Sequence, residues 1–449
     1  MHLLPNAGLA HLLSISGLHF GIVTAFMFFV VRQGLALIQY VALRFPIKKW
    51  AAVLAFAGAC FYLLFSGASI PAQRSFVMVA IVLLAVLLDR TALSMRLVAW
   101  AAVAVLAISP ESILGPSFQM SFAAVVALIA VHETTEKRFL VWRAGAGWLR
   151  RGGLHLAQIA LTTLVAGLAT APFALYHFNR FTAYALAANL LAIPLTSFWI
   201  MPWAVVATAL MPFGLEPWGL HPMAWGIEGV VLVAREVAAW EGAVSLLPAM
   251  PAWGLAAISI GGLWLCLWTR RWRLAGLPVI ALGLASIVLS TPPDILVSGD
   301  GRLMAVRSDS GELMVSSGRT LRLVRDSWLR RDGQEGAGVW PKSGSSPDGA
   351  VVCDPLGCIY RLEGRTVALV RDVAALAEDC RVAAVVISLV PTRGKCAGPS
   401  AVIDRFDLWR SGAHALWLDA GGWRVENVRE VRGNRPWVPP APDRRRRSG

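Results

Sequence analysis

The first two-thirds of the chain is a series of apolar runs separated by short polar or Pro/Gly-bearing turns, and the last third is not. Runs such as AAVLAFAGACFYLLF (51–65) and VMVAIVLLAVLL (77–88) are continuous, not alternating. That is the pattern of helices that are hydrophobic all round and sit in lipid or among other helices. A crossing of the hydrocarbon needs about 20 apolar residues. The runs predict spans near 14–31, 50–66, 73–89, 94–109, 116–132, 154–175, 251–268 and 274–291. The stretch 182–213 is long and holds Pro194 and Pro202. It predicts either two short spans or one long span paired with the amphipathic stretch 224–239. About ten crossings follow.

Beyond Thr291 the pattern changes. GRLMAVRSDSGELMVSS (301–317) alternates about an Asp-Ser-Gly turn, as a hairpin does. VVCDPLGCIYRLEGRTVALV (351–370) reads as further short strands, DVAALAEDC (372–380) as a helix, VAAVVISLV (382–390) as a buried strand and HALWLDAGGWRVENV (414–428) as a closing hairpin. Residues 333–349 are Gly/Ser-rich and read as a loop. The fold class is therefore a polytopic α-helical membrane protein of about ten spans (1–291) followed by a small β-rich α/β soluble domain (292–435). A Pro-rich basic tail (436–449), with RRRR at 444–447, is expected to be disordered.

Composition sharpens this division. Of 449 residues, 57% are hydrophobic and only 15% charged, and mean hydropathy is +0.61; soluble globular chains are rarely so apolar. The net charge of +14 invites a nucleic-acid reading. Residues 1–291 contribute 17 Lys+Arg against 8 Asp+Glu, however, and an excess of cations in loops also follows from membrane orientation alone. The basic loops alternate: Arg32, Arg44, Lys48 and Lys49 in one, Lys137, Arg138, Arg143, Arg150 and Arg151 in the next, Arg270, Arg271 and Arg273 in the last. Loops 110–116, 214–223 and 241–250 have no Lys or Arg. Basic loops face the cytoplasm, so the N-terminus is expected outside and the C-terminal domain in the periplasm. No cleavable signal peptide is evident at Met1.

An oxidising compartment gives the cysteines meaning. Cys60 and Cys266 lie in apolar runs and read as small buried hydrophobes. Cys353, Cys358, Cys380 and Cys396 are an even number in a small domain, which fits two disulfides. A zinc site formed by all four is the rival, but the C-x4-C…C-x15-C spacing lacks the usual C-x2-C knuckles.

Four segments put polar residues into the apolar region. HLLSISGLHFG (11–21) carries His11, Ser14, Ser16, Gly17 and His19, with both histidines able to share a helix face and Ser14 and Gly17 small enough for close helix approach. SGASIPAQRSFVM (66–78) has Gly67 and Pro71 at an outer turn and Arg74 at the start of a span. SPESILGPSFQMSFAAV (109–125) brackets an outer turn with prolines and places Gln119 and Ser121 just inside the membrane. YHFNRFTAYALAANLLAIPLTS (176–197) brings Arg180 to the outer rim, with Asn189 and Pro194 deeper. Polar groups inside a bilayer are costly unless they face an interior or a cavity. Each segment alone is equally well read as helix-packing glue or a snorkelling side chain; together they suit a conduit.

The strings HLLSISGLH, SGASIPAQRSFVM, PxxxLGPSFQMSF and the Asn189–Pro194 stretch resemble, in order and spacing, the competence domain of the ComEC family over roughly residues 1–290. The resemblance implies an inner-membrane channel that passes one strand of incoming DNA during natural transformation. It implies single-stranded DNA and membrane lipid as partners, with a periplasmic DNA-binding competence protein, a cytoplasmic helicase or translocase, and self-association also expected. No G-x-x-x-x-G-K-[ST] loop is present to supply the driving force. Full-length members carry an N-terminal region with extra spans and an OB-like domain, whereas this chain starts at the motif and is read as truncated or as having a misplaced start. Many members end in a metallo-β-lactamase-like nuclease. ILVSGDGRLMAV (295–306), with Asp300, resembles the start of that domain, but no H-x-H-x-D-H string follows and His414 is the one histidine beyond Thr291. The tail is therefore expected to be a degenerate, metal-free relative without enzymatic activity or cofactor.

Three rival functions have some footing in the residues. SISG (14–17) faintly resembles an intramembrane serine-protease motif with Ser16 as nucleophile, which would need His155 or His132 as base. HETTE (132–136) ends in Glu136 where a helical zinc motif needs histidine. A small-solute transporter also uses polar helix breaks, and inverted repeats that would favour it are not visible.

Overall fold

The computed structural model describes residues 7–9, 17–90, 94–143, 147–433, 435 and 438. His11, Ser14 and Ser16, and all but one residue of the 436–449 tail, lie outside the described residues. The chain divides into two compact units, Met1–Ser245 with Met250–Ile287, and Leu246–Ala249 with Val288–Gly449.

The first unit is helical. Its elements are α1 (Gly17–Ala36), α2 (Gln39–Arg44), α3 (Ile47–Phe65), α4 (Ile70–Leu87), α5 (Met95–Ile108), α6 (Pro116–Arg143), α7 (Trp148–Phe178), strand β1 (Arg180–Thr182), α8 (Ala185–Leu195), α9 (Met201–Leu210), α10 (Pro217–Ala238), strand β2 (Val244–Leu246), α11 (Ala252–Leu267) and α12 (Gly276–Leu289). Among the described residues, six helical segments are long and apolar enough to cross a membrane: His19–Ala36, Ile47–Phe65, Pro116–Thr135, Trp148–Phe178, Ala185–Phe213 and Arg271–Leu289. Pro71–Leu87, Met95–Ile108 and Ala252–Leu267 are shorter apolar helices. The amphipathic α10, which carries Glu228, Arg235 and Glu236, is not among them. These helices establish a polytopic membrane protein, without establishing a count of ten crossings.

Of the two readings of 182–213, the structure shows the single long one. Pro194 and Pro202 do not break it: the helix runs through a π-helical turn at Thr196–Ile200. The wider π-helical turn lies between the two prolines, each of which removes one N–H donor from the helix ladder. α10 lies against this helix at very short range. A Cβ on Gly219 would stand 2.5 Å from the Ala207 backbone nitrogen, so only glycine permits the approach. The Trp199 indole N–H donates to the Pro222 carbonyl at 2.8 Å.

The second unit is a sandwich. Its strands are β3 (Ile295–Val297), β4 (Met304–Arg307), β5 (Leu313–Val315), β6 (Gly338–Val339), β7 (Gly344–Ser345), β8 (Val351–Cys353), β9 (Gly357–Leu362), β10 (Arg365–Val370), β11 (Val385–Ser388), β12 (Ala401–Ile403), β13 (His414–Asp419) and β14 (Gly422–Asn427). Its helices are α13 (Arg322–Asp332), α14 (Leu376–Val382), α15 (Arg405–Ser411) and α16 (Val428–Arg432). They form two six-stranded sheets, ordered β14-β13-β3-β4-β5-β6 and β12-β11-β10-β9-β8-β7. Period-two alternation decides the layers. Val297, Val306, Tyr360, Val367, Leu369 and Ile387 meet in the core between the sheets. On the opposite faces, Ala305, Leu313 and Val315 pack on Leu329 of α13, and Ala368, Val370 and Val386 pack on Leu376 and Cys380 of α14.

The 301–317 hairpin is present as β4–β5, and the 414–428 hairpin as β13–β14. The Gly/Ser-rich 333–349 stretch is not wholly loop, since it supplies the two-residue strands β6 and β7. Cys353 is joined to Cys358 and Cys380 to Cys396. The first pair staples directly opposed residues of β8 and β9. The second ties α14 to the loop after β11.

Candidate functional site: a polar end on the helical unit

The contacts orient the helices of the first unit. Lys49, at the start of α3, pairs with Asp89, just past the end of α4, at 2.7 Å. A Cβ on Gly17, the first residue of α1, would lie 3.9 Å from the Ser75 hydroxyl near the start of α4. Val77, Met78 and Ile81 of α4 pack with Phe118 and Phe122 of α6 and with Ala101 and Val105 of α5. The His177 ring Nε2 and Gln119 Oε1 are 2.8 Å apart, which brings the last turn of α7 to the first turn of α6. Ala7 and Leu9 pack with Ala188 and Ala192 of α8, and a Cβ on Gly8 would meet Ala185. The starts of α1, α4, α6 and α8 and the end of α7 therefore share one end of the unit.

That end holds every described residue that the sequence singled out in this region: Gly17, His19, Gly67, Arg74, Gln119, Ser121, Arg180 and Asn189. Direct contact links few of them. Gln119 is held twice, by His177 and by donating its amide to the Ile113 carbonyl at 2.9 Å. Gly67 is a turn residue with φ +76°, followed by Ala68 at φ +46°. It lets the chain reverse between α3 and α4 and is not part of a lining. Ser121 is half-buried on α6, and Arg180 begins β1.

The electrostatic character of this end comes from buried polar atoms without partners. In the helical unit, the buried side-chain atoms that lack a hydrogen bond among the described residues are Thr24 Oγ1, Arg74 Nε, Ser112 Oγ, Asn179 Nδ2 and Asn189 Oδ1. Arg74 is 9% exposed, Asn179 6% and Thr24 4%. Four fall at the polar end: Arg74 and Asn189 one turn into their helices, Ser112 in the turn before α6 and Asn179 immediately after α7; Thr24 is about 10 Å along α1 from Gly17. A buried unsatisfied polar group costs about 1–3 kcal/mol, and native proteins keep few of them. Four lie at this end of the helical unit and Thr24 about a third of the way along α1, where a polar partner would satisfy them.

His177, Asn179, Ser112 and Thr24 were missed from sequence. Asn179 had a readable signal, because it follows a long apolar run and adopts the left-handed φ of +53° that asparagine tolerates at a helix C-cap. His177 had none, since its meaning comes from Gln119, which is 58 residues away.

Ser16, the nucleophile of the protease reading, lies outside the described residues, and its two candidate bases sit on different helices. His155 is in the second turn of α7, a helix that reaches the polar end only with its last turn, and His132 lies about 24 Å along α6 from its start. In the second unit, Asp300 is engaged in its own turn, accepting from the Ser298 hydroxyl at 2.6 Å and the Arg302 backbone N–H at 3.1 Å. Among the described residues no group of three or more His, Cys, Asp or Glu side chains is placed to hold a metal ion.

A polytopic helical membrane unit with a polar end, followed by a β-sandwich with outer helices, defines the class of protein. The chain matches the Competence protein family over residues 1–272, more than half its length, and belongs to that family, that of ComEC. It is similar to ComE operon protein 3 of Bacillus subtilis (strain 168), with 27% identity over 205 residues covering 45% of this chain and 23% of that protein. It is also similar to Competence protein ComA of Neisseria gonorrhoeae, with 39% identity over 123 residues covering 27% of this chain and 17% of that protein. The aligned parts thus span less than a quarter of either relative. No solved structure matches.

Proposed function

We propose that this chain serves DNA uptake in competence, its helical unit guiding a single strand across the bacterial inner membrane. The carrying observation is the gathering of four unpartnered buried polar atoms, Arg74 Nε among them, at one end of the apolar helical unit. Phosphate oxygens would satisfy the Arg74, Asn179, Ser112 and Thr24 donors, and base edges the Asn189 carbonyl. The positive balance of the unit favours a polyanion. On this reading the polar end faces outward, since the opposite end carries the Lys48, Lys49, Arg150 and Arg151 loops. The β-rich unit then lies in the periplasm, where its two cystine pairs can form. It is a metal-free relative of a metallo-β-lactamase-like domain and has no catalytic part in transport. A periplasmic DNA-binding protein would deliver the strand, a cytoplasmic helicase or translocase would pull it, and copies of the chain could associate around the path.

The test is transformation in a strain deleted for the gene, scored beside entry of labelled DNA. Labelled DNA held in the periplasm with no transformants is the expected result. Unchanged transformation and unchanged cytoplasmic label overturn the proposal.

A further inference from the structure

A second polar feature lies wholly within the β-rich unit and has no part in the conduit reading. At one end of the sandwich, the β3–β4 turn, the residue after β5 and the end of β10 surround a cavity of about 150 Å³. Its polar side chains are Arg302, Ser316, Trp340 and Arg371, and Met304 and Leu389 are among its apolar ones. Every polar side chain in this wall is a donor, and none is acidic.

The donors are largely uncommitted. Ser316 Oγ accepts the Met304 backbone N–H at 3.0 Å, which leaves its own hydrogen to give. Trp340 is 3% exposed, and its indole N–H has no acceptor. Arg371 makes a long 3.5 Å contact from Nη2 to the Cys358 sulfur, which as part of a cystine is a poor acceptor. Arg302 is exposed and stands 4.0 Å from Asp300 through Nε. The nearby acids are occupied with backbone: Asp300 with the Arg302 N–H, Asp354 with the N–H groups of Leu356 and Gly357, and Asp372 with that of Ala374. Two exposed arginines, a serine and a tryptophan whose indole N–H is buried without a partner line one small cavity, a donor set that suits an acceptor-rich anion. Guanidinium in particular matches tetrahedral oxyanions by paired hydrogen bonds. The cavity admits one such group on a short organic arm, and not a run of strand.

We propose that this cleft binds a terminal phosphate monoester, carried either by a free mononucleotide or by the 5′ end of a DNA strand. The test uses the full chain in detergent micelles and isothermal titration calorimetry with inorganic phosphate, thymidine 5′-monophosphate and thymidine. Phosphate and the monophosphate are expected to bind and thymidine is not. Arg302→Gln with Arg371→Gln is expected to weaken binding by at least about tenfold, as loss of charge-assisted hydrogen bonds implies. Trp340→Phe, which keeps an aromatic ring of smaller size and removes the N–H, is expected to weaken it several-fold. Oligothymidylates separate the sources. Tighter binding of the 5′-phosphorylated than of the 5′-hydroxyl strand, lost in the double variant, assigns the strand end; equal binding of the two strands, with the monophosphate still bound, assigns the free nucleotide. Absence of binding by both phosphate and the monophosphate, or the same affinity for thymidine as for its monophosphate, overturns the proposal without any variant. So does unchanged affinity in a folded double variant. None of these outcomes bears on transformation, so this inference and the conduit reading fail separately.

Discussion

Replacing Arg74 with Met separates a structural arginine from one kept for a ligand. The side chain is buried, 9% exposed, on the first turns of α4. Its Nε has no hydrogen-bond partner, and no described acidic residue forms an ion pair with it. A buried donor without an acceptor costs about 1–3 kcal/mol, and more when charged. Methionine fills much of the same volume with no polar atom. Arg74→Met should therefore leave the helical unit unchanged or stabilise it by about 1–3 kcal/mol, read as a rise of a few degrees in the thermal midpoint of the detergent-solubilised protein. DNA entry should fall by about an order of magnitude, as for loss of one strong phosphate contact. The salt dependence of single-strand binding should lose about 0.7 from its log–log slope. Stability and function thus move in opposite directions. If Arg74→Met lowers stability by more than about 1 kcal/mol while uptake holds, the arginine is packing material and its unpartnered Nε does not mark a ligand site.

Three further outcomes follow from particular contacts. Gln119→Leu and His177→Leu should each reduce uptake, and in a double-mutant cycle on thermal stability they should couple by about 1 kcal/mol, the net value of one partly buried hydrogen bond; additive effects refute a working pair. Cys380→Ser should cost about 3 kcal/mol, the loop-closure value for a loop of about 15 residues, and wild-type protein should take up a maleimide label at Cys380 and Cys396 only after a reductant is added, in cells as in extracts. His414 is buried, and burial holds its imidazole below the ordinary histidine range despite the Gly412 carbonyl at 2.9 Å and the nearby Asp407 and Glu430. A group whose folded pKa is depressed contributes stability above its unfolded pKa, here near 6.5, and loses it as pH falls through the folded value. Wild type should lose stability on acidification below about pH 6.5 more steeply than His414→Gln; parallel pH profiles would show that His414 is not the titrating group.

Much of the architecture was written in the one-dimensional pattern. Continuous apolar runs in 1–291 and alternating ones after Thr291 separate helix from strand, because a helix in lipid presents apolar groups all round and a sandwich strand presents them on alternate sides. The β4–β5 and β13–β14 hairpins were legible for the same reason, as local structures whose turn chemistry lies within a few residues. The α13 helix was not legible, since RLVRDSWLRRD is strongly polar and its apolar Val324, Trp328 and Leu329 find their partners only on the outer face of the sheet. Nor was the passage of one helix through Pro194, where the π-helical turn is supported by α10.

The sequence by itself determined the membrane class, the β-rich tail and the rough places of Arg74, Gln119, Arg180 and Asn189, because local composition and spacing set burial and helix ends. Only the tertiary structure decided that these residues share one end, that Gln119 meets His177, and that Arg302, Ser316, Trp340 and Arg371 surround one cavity. Such meetings are made by packing between segments far apart in the chain, and no periodicity or propensity along the sequence encodes which distant side chain will stand opposite another.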